Sequence, residues 1–226
     1  MPLQPSCSNS WSLIRLQLRP KKAIGLSSSE EMARSDWRIG MVGLGALGLP
    51  MAANLRRSSL TLQVHTRSRG AENDPQLAGV IPCANPAATA KNVDVLLLCV
   101  SDDHAVNQVL FGPNGAAEQL QPGSIVIDCS TISPKGAQQA AAQLQRIGVH
   151  YLDAPVTGGT EGARTGTLTV LVGGDTDVLE RVRPLLEVIG GSIHHIGPIG
   201  RGQQAKAVNQ VLVAGSYAAV AEAIAL

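Results

Sequence analysis

Residues 37–55 read WRIGMVGLGALGLPMAANL, and this stretch decides the fold. Arg38 to Val42 is a short apolar run of the kind that forms a buried parallel strand. Gly43, Gly45 and Gly48 follow as G-x-G-x-x-G, and a helical pattern runs from Ala46 to about Arg56. Strand, glycine turn and helix together form the context that gives this spacing meaning. Gly43 permits the tight turn, Gly45 lets a pyrophosphate approach the backbone, and Gly48 lets helix and strand pack closely. Leu44, Ala46 and Leu47 complete the loop, and the helix N-terminus offers free N–H groups to phosphate oxygens. The segment predicts a dinucleotide site.

A second strand, Leu60 to His65, should end beside the adenosine ribose. An acid there would bind the 2′-hydroxyl of NAD. The chain has Val64-His65-Thr66-Arg67-Ser68-Arg69 instead, with no acid before Glu72. Arg67 can fork onto a phosphate, and Thr66 and Ser68 can donate hydrogen bonds. The expected cofactor is therefore NADP rather than NAD.

Strands and helices alternate beyond this unit. Val80–Cys83, Val93–Val100, Ser124–Asp128, His150–Ala154, Leu168–Val172 and Ser192–His195 read as strands. Pro86–Asn92, Asp103–Leu110, Pro134–Ile147 and about Thr176 to Ile189 read as helices, and a long helix starts near Arg201. The pattern predicts an α/β fold, a Rossmann-type, doubly wound, mainly parallel sheet. Its domain should span 36–198. Ser133 is expected to cap the helix it precedes.

The 226 residues are 44% hydrophobic but only 2% aromatic, so the core must be aliphatic. A net charge of +1 gives no sign of a nucleic-acid partner or an anionic membrane. Cys7, Cys83, Cys99 and Cys129 form no CxxC pair and no metal spacing, which fits reduced thiols in a cytoplasmic protein. His194 and His195 point to opposite faces of a strand, so no metal site is expected. Residues 1–35 differ from the rest. Arg15, Arg19, Lys21 and Lys22 stand among serines with no acid before Glu30, as in an organellar transit peptide. Met32 offers an alternative start, and this extension is set apart from the fold.

In open α/β sheets ligands bind beyond the carboxyl ends of the strands. Val100-Ser101-Asp102, Asp128 to Thr131 and Asp153 to Thr160 fall there. The last combines hydroxyls with Gly158 and Gly159, a polar loop able to present N–H groups to a carboxylate. Further on, Lys206, Asn209 and Gln210 share the i, i+3, i+4 spacing of one helix face. Their neighbours Ala205, Ala207, Val208, Val211, Leu212 and Val213 are apolar, and a helix that apolar is expected to be buried. A lysine in such a wall is desolvated and draws attention as a functional group. The polar residues and Glu222 argue against a membrane span over Ala207–Leu226.

Four motifs in order, GLGALGLPMAANL (43–55), DCSTISP (128–134), DAPVTGGTEGARTGTL (153–168) and GRGQQAKAVNQ (200–210), resemble those of the β-hydroxyacid dehydrogenases. The resemblance covers residues 37–226. It implies that Lys206 is the catalytic lysine and that Asn209 and Gln210 are the polar pair beside it. It implies that Ser130, Gly158 and Gly159 hold the carboxylate of a small-molecule substrate, and that Thr131, Val100 and Ser101 line the cofactor. Asn-Gln in place of Asn-Asn resembles the tartronate semialdehyde and glyoxylate branch. Thr157 replaces a commoner serine, and Ser101 stands where many members have proline. Residues 199–226 match the start of an interdomain helix that continues, in the family, into a helical domain where members form homo-oligomers. The implied reaction is hydride transfer between NADPH and a small aldehyde or keto acid. A cofactor-binding fragment without catalysis is the alternative.

Overall fold

The computed structural model describes residues 37–58 and 60–226. The expected N-terminal extension and Cys7 lie outside them. Central to the architecture is β1 (Arg38–Val42), flanked in parallel by β2 (Thr61–His65) and β4 (Val95–Leu98). β3 (Ile81–Pro82) continues beyond β2, while β5 (Ile125–Asp128) and β6 (His150–Asp153) continue beyond β4. The order β3-β2-β1-β4-β5-β6 is parallel throughout and reverses direction at β1 and β4, the switch point where such sheets open a crevice.

Alternate residues of the middle strands serve the two faces, as strand geometry requires. Met41, Val95, Leu97 and Ile127 meet α1 (Gly48–Arg57) and α6 (Thr176–Ile189) in one core. Leu96, Leu98 and Val126 meet α2 (Pro86–Ala90), α3 (Asp103–Phe111) and α4 (Pro134–Gln145) in the other. With both faces covered, Val95–Leu98 is buried at every position. Side-chain caps start these helices. Asn85, Asp102 and Asp175 accept backbone N–H bonds, and Ser133 accepts one from Gly136 at 3.0 Å, as expected.

Past β6 the sheet changes character. β8 (Leu168–Gly173) runs antiparallel to β6 and to β7 (Val156–Thr157), and parallel to β9 (Gly190–Gly197). The stretch expected as a polar loop is thus partly ordered. Val156–Thr157 pairs with β8, and Gly159–Thr165 forms the short helix α5. Its buried residues are Gly162 and Ala163, so no apolar stripe marks it in the sequence.

The long helix α7 (Arg201–Ala225) corrects a second expectation. Only Gly202, Gln203 and Lys206 are buried. Val211, Leu212 and Tyr217 stand 66–73% exposed, and every residue past Asn209 is exposed. By length and composition α7 is apolar enough to cross a membrane. Its first turns, however, are bound to the sheet.

Candidate active site

The glycine turn works by steric necessity. Gly43 has φ +101°, a conformation that side chains resist, and a Cβ there would run into the Cys99 carbonyl. A Cβ on Gly48 would strike the Gly43 carbonyl, so the helix can start only with glycine. Gly45 is different: nothing lies within 4 Å of the place a Cβ would take. Two glycines close the turn, and the third leaves its backbone bare.

That bare backbone faces a cleft of about 630 Å³. Gly43, Leu44, Gly45, Ala46, Leu47 and Gly48 form one wall, and His65, Thr66, Arg67 and Ser68 form the far end. Val100 and Ser101, with His104, Ala105 and Gln108, close the other side. The cleft therefore gathers every residue expected at the cofactor except Thr131, which is exposed after β5. Open backbone at the switch point fits a dinucleotide pyrophosphate.

The acid nearest to the ribose end is already engaged. Glu72 pairs with Arg69 at 2.8 Å and accepts the Gly70 N–H at 2.7 Å. Its carboxyl is held low in pKa by its own backbone N–H and that of Gly70 and by Arg69, against the effect of burial. Arg69 also donates to the Cys83 carbonyl at 2.8 Å. Arg67 is exposed at the rim of the cleft. The two arginines, alike in sequence, thus divide between loop structure and cleft.

A second group of residues lies at the ends of β5, β6 and β7. The Ser130 hydroxyl accepts the Val100 N–H at 2.9 Å and links this group to the cleft. Ser130 is only 2% exposed, so its hydroxyl is engaged within the protein. Gly158 and Gly159, at φ +128° and +64°, form the exposed turn from β7 into α5. Asn209 donates to the Thr157 hydroxyl at 3.4 Å and so joins α7 to β7.

Lys206 is 7% exposed. Burial moves its pKa downward, and among the described residues no charge or hydrogen bond offsets it. The burial does not come from the Val and Leu of its own helix, as the sequence suggested, because those are exposed. It comes from close approach to the sheet. A Cβ on Gly202, one turn earlier, would strike the Leu171 carbonyl and crowd Asp153. Of the expected polar triad, Lys206 and Asn209 lie on the sheet side. Gln210 is exposed and accepts a hydrogen bond from Asn209 at 3.3 Å. The spacing i, i+4 put it near that face, but the bound stripe runs through 202, 203, 206 and 209.

Two residues lie inside the quoted motifs but were given no role by them. Gln203 is 1% exposed and bonded at both ends of its amide, and Asp153, 0% exposed, caps α7. A glutamine three residues before the lysine, and so on the same helix face, was the available signal.

Comparison with known proteins agrees with this arrangement. Residues 38–197 match the family model described as the NAD binding domain of 6-phosphogluconate dehydrogenase. The 2-hydroxy-3-oxopropionate reductase of Escherichia coli is 40% identical over 188 residues, 83% of this chain and 64% of that protein. The mitochondrial 3-hydroxyisobutyrate dehydrogenase of Mus musculus is 34% identical over 208 residues, 92% of this chain and 62% of that protein. Among solved structures, the Mycobacterium tuberculosis 3-hydroxyisobutyrate dehydrogenase superposes with a TM-score of 0.76 at 33% identity, covering 83% of this chain and 63% of that one. The chain therefore spans under two thirds of the length of these relatives. With its fold, glycine turn and lysine-bearing helix in the family's order, the chain belongs to the family of the 6-phosphogluconate dehydrogenase NAD-binding domain, among the relatives of the β-hydroxyacid dehydrogenases.

Proposed function

We propose that the chain carries the cofactor site and the proton-transfer lysine of an NADP-dependent reductase of small aldehydes or keto acids. The observation that carries this reading is Lys206, buried and, among the described residues, without a counter-charge. A lysine pushed toward neutrality can give up a proton and take it back near neutral pH. Residues 43–48 would hold the pyrophosphate and Arg67, with Thr66 and Ser68, the 2′-phosphate. The bound nicotinamide would supply or accept the hydride. Lys206 would hydrogen-bond the substrate carbonyl and protonate the developing alkoxide; in the oxidative direction it would take the proton from the hydroxyl. Asn209 would orient the ammonium, or the substrate, from its place against Thr157. Gly158 and Gly159 would present their exposed turn to the substrate carboxylate. In this reading residues 36–198 are the cofactor domain and 199–226 begin the part that completes the site.

The Asn209-Gln210 pair and the likeness to the E. coli reductase lean the substrate toward tartronate semialdehyde and glyoxylate. The test is NADPH absorbance with the purified chain, offering glyoxylate, tartronate semialdehyde and succinic semialdehyde, with NADH as comparison. Turnover with NADPH above NADH is expected. NADPH binding with no turnover on any substrate would favour the reading as a cofactor-binding module.

A further inference from the structure

The first turns of α7 are tied to two neighbouring strand ends by a pair of buried residues. The Asp153 carboxylate, at the end of β6, accepts the Gly200 N–H at 2.7 Å and the Gln203 N–H at 2.9 Å. Those are the free donors at a helix N-terminus. The Gln203 side chain then spans to the loop after β5. Its Oε1 accepts the Ile132 N–H at 3.1 Å, and its Nε2 donates to the Ser130 carbonyl at 2.8 Å. One amide clamps the peptide of residues 130–132 from both ends.

We propose that Gln203, anchored by Asp153, is the positioning residue that holds Lys206 in register with the Ser130–Ile132 loop. The inference rests on the reductase reading for its functional meaning, but its geometry does not. Gln203 and Lys206 stand three positions apart, both buried, on the stripe of α7 that faces the sheet. Past Asn209 no residue of the helix is buried. The place of Lys206 is therefore set by the clamp, the Gly202 contact and the Asn209–Thr157 bond. Only glutamine offers this reach with one acceptor and one donor. Glutamate would turn a carboxylate oxygen toward the Ser130 carbonyl, and asparagine would fall a methylene short.

The experiment follows Lys206 itself. Competitive acetylation with acetic anhydride across a pH series, read by mass spectrometry, gives the titration midpoint of Lys206 in the full chain without any need of turnover. The other charged or titratable groups on elements packed against these turns are Arg201 on α7, Lys135 on α4, His150, Tyr151 and Asp153 on β6, and His194 and His195 on β9. β8 carries none. In Q203M the bulk is kept and both bonds are lost, so the midpoint is expected to rise by about one pH unit toward an ordinary lysine. D153N, which sets an amide N–H against a backbone N–H, is expected to act in the same direction. L62V, a core change on β2 far from α7, should lower Tm and leave the midpoint in place. If Q203M fails to fold, Q203N replaces it. An unmoved midpoint in folded Q203M or Q203N overturns the inference, as does an equal shift in L62V. Where turnover is measured, Q203M should lower kcat by roughly tenfold or more with NADPH affinity unchanged. Persistent turnover in K206A would instead remove Lys206 from the proton-transfer role and leave the labelling result standing.

Discussion

Arg67 and Arg69 stand two residues apart, yet only one is free for a ligand. Arg69 is committed to Glu72 and to the Cys83 carbonyl. Arg67 reaches the cleft rim with Thr66 and Ser68. Loss of a charge-assisted bond to phosphate costs about 1.5–3 kcal/mol, so R67A is expected to weaken NADPH binding by roughly 10- to 100-fold. NADH affinity should change little. Fluorescence titration of both nucleotides checks this, and an equal loss for the two would place Arg67 away from the 2′-phosphate. The sequence pointed to Arg67; that Arg69 is committed elsewhere was not legible in it, because that depends on Glu72 folding back. The same limit applies to Gln203, whose amide bonds span about 70 residues of sequence.

The strand–turn–helix unit was the most legible part of the chain, because each glycine there answers a local demand. β1 begins and ends where the apolar run does, and α6 spans the expected Thr176–Ile189. The glycines make distinct predictions. G43A combines a strained φ with a backbone clash and is expected to destabilise by about 3 kcal/mol or more. G45A meets open space, so its Tm should stay near the parent's while NADPH affinity falls. Thermal melts with nucleotide titration separate the two; equal melting losses would contradict the division of labour. Elements without a periodic signal were less legible. α5 buries only the small residues Gly162 and Ala163, and β7 is two residues long. α7 misled in the opposite way. A helix apolar on every side suggests burial, but composition does not tell which neighbour covers it.

Across the whole molecule, the buried carboxylates at the ends of β5 and β6 link stability to pH. Asp128 and Asp153 are register partners, and both are 0% exposed. Asp128 accepts the Ser130 N–H at 2.9 Å and the Tyr151 hydroxyl at 2.8 Å. Burial still outweighs these bonds and pushes its pKa up to about 6, and Asp153 shifts upward for the same reason. A carboxyl raised on folding binds its proton more tightly in the native state. Its stabilising share is full below the unfolded value and lost as pH rises through about 6. The share is at most about 3 kcal/mol. D128N removes this titration. Urea melts from about pH 4 to 7 should therefore show the parent losing stability relative to D128N as pH rises. A constant difference would contradict the raised pKa. The overall α/β alternation was legible because parallel strands covered on both faces are continuously apolar. The antiparallel turn of β8 was not, since it depends on pairing between distant segments.

The decisive measurement is NADPH turnover by K206A beside the parent chain, with NADPH Kd measured on both. Removal of a positioned proton donor costs about 10²–10⁴-fold, so turnover is expected to fall by at least that lower bound. NADPH affinity should hold within about twofold, because Lys206 is not among the residues lining the cofactor cleft. Turnover retained in K206A at the parent's rate would contradict the role of the buried lysine and, with it, the proposed chemistry.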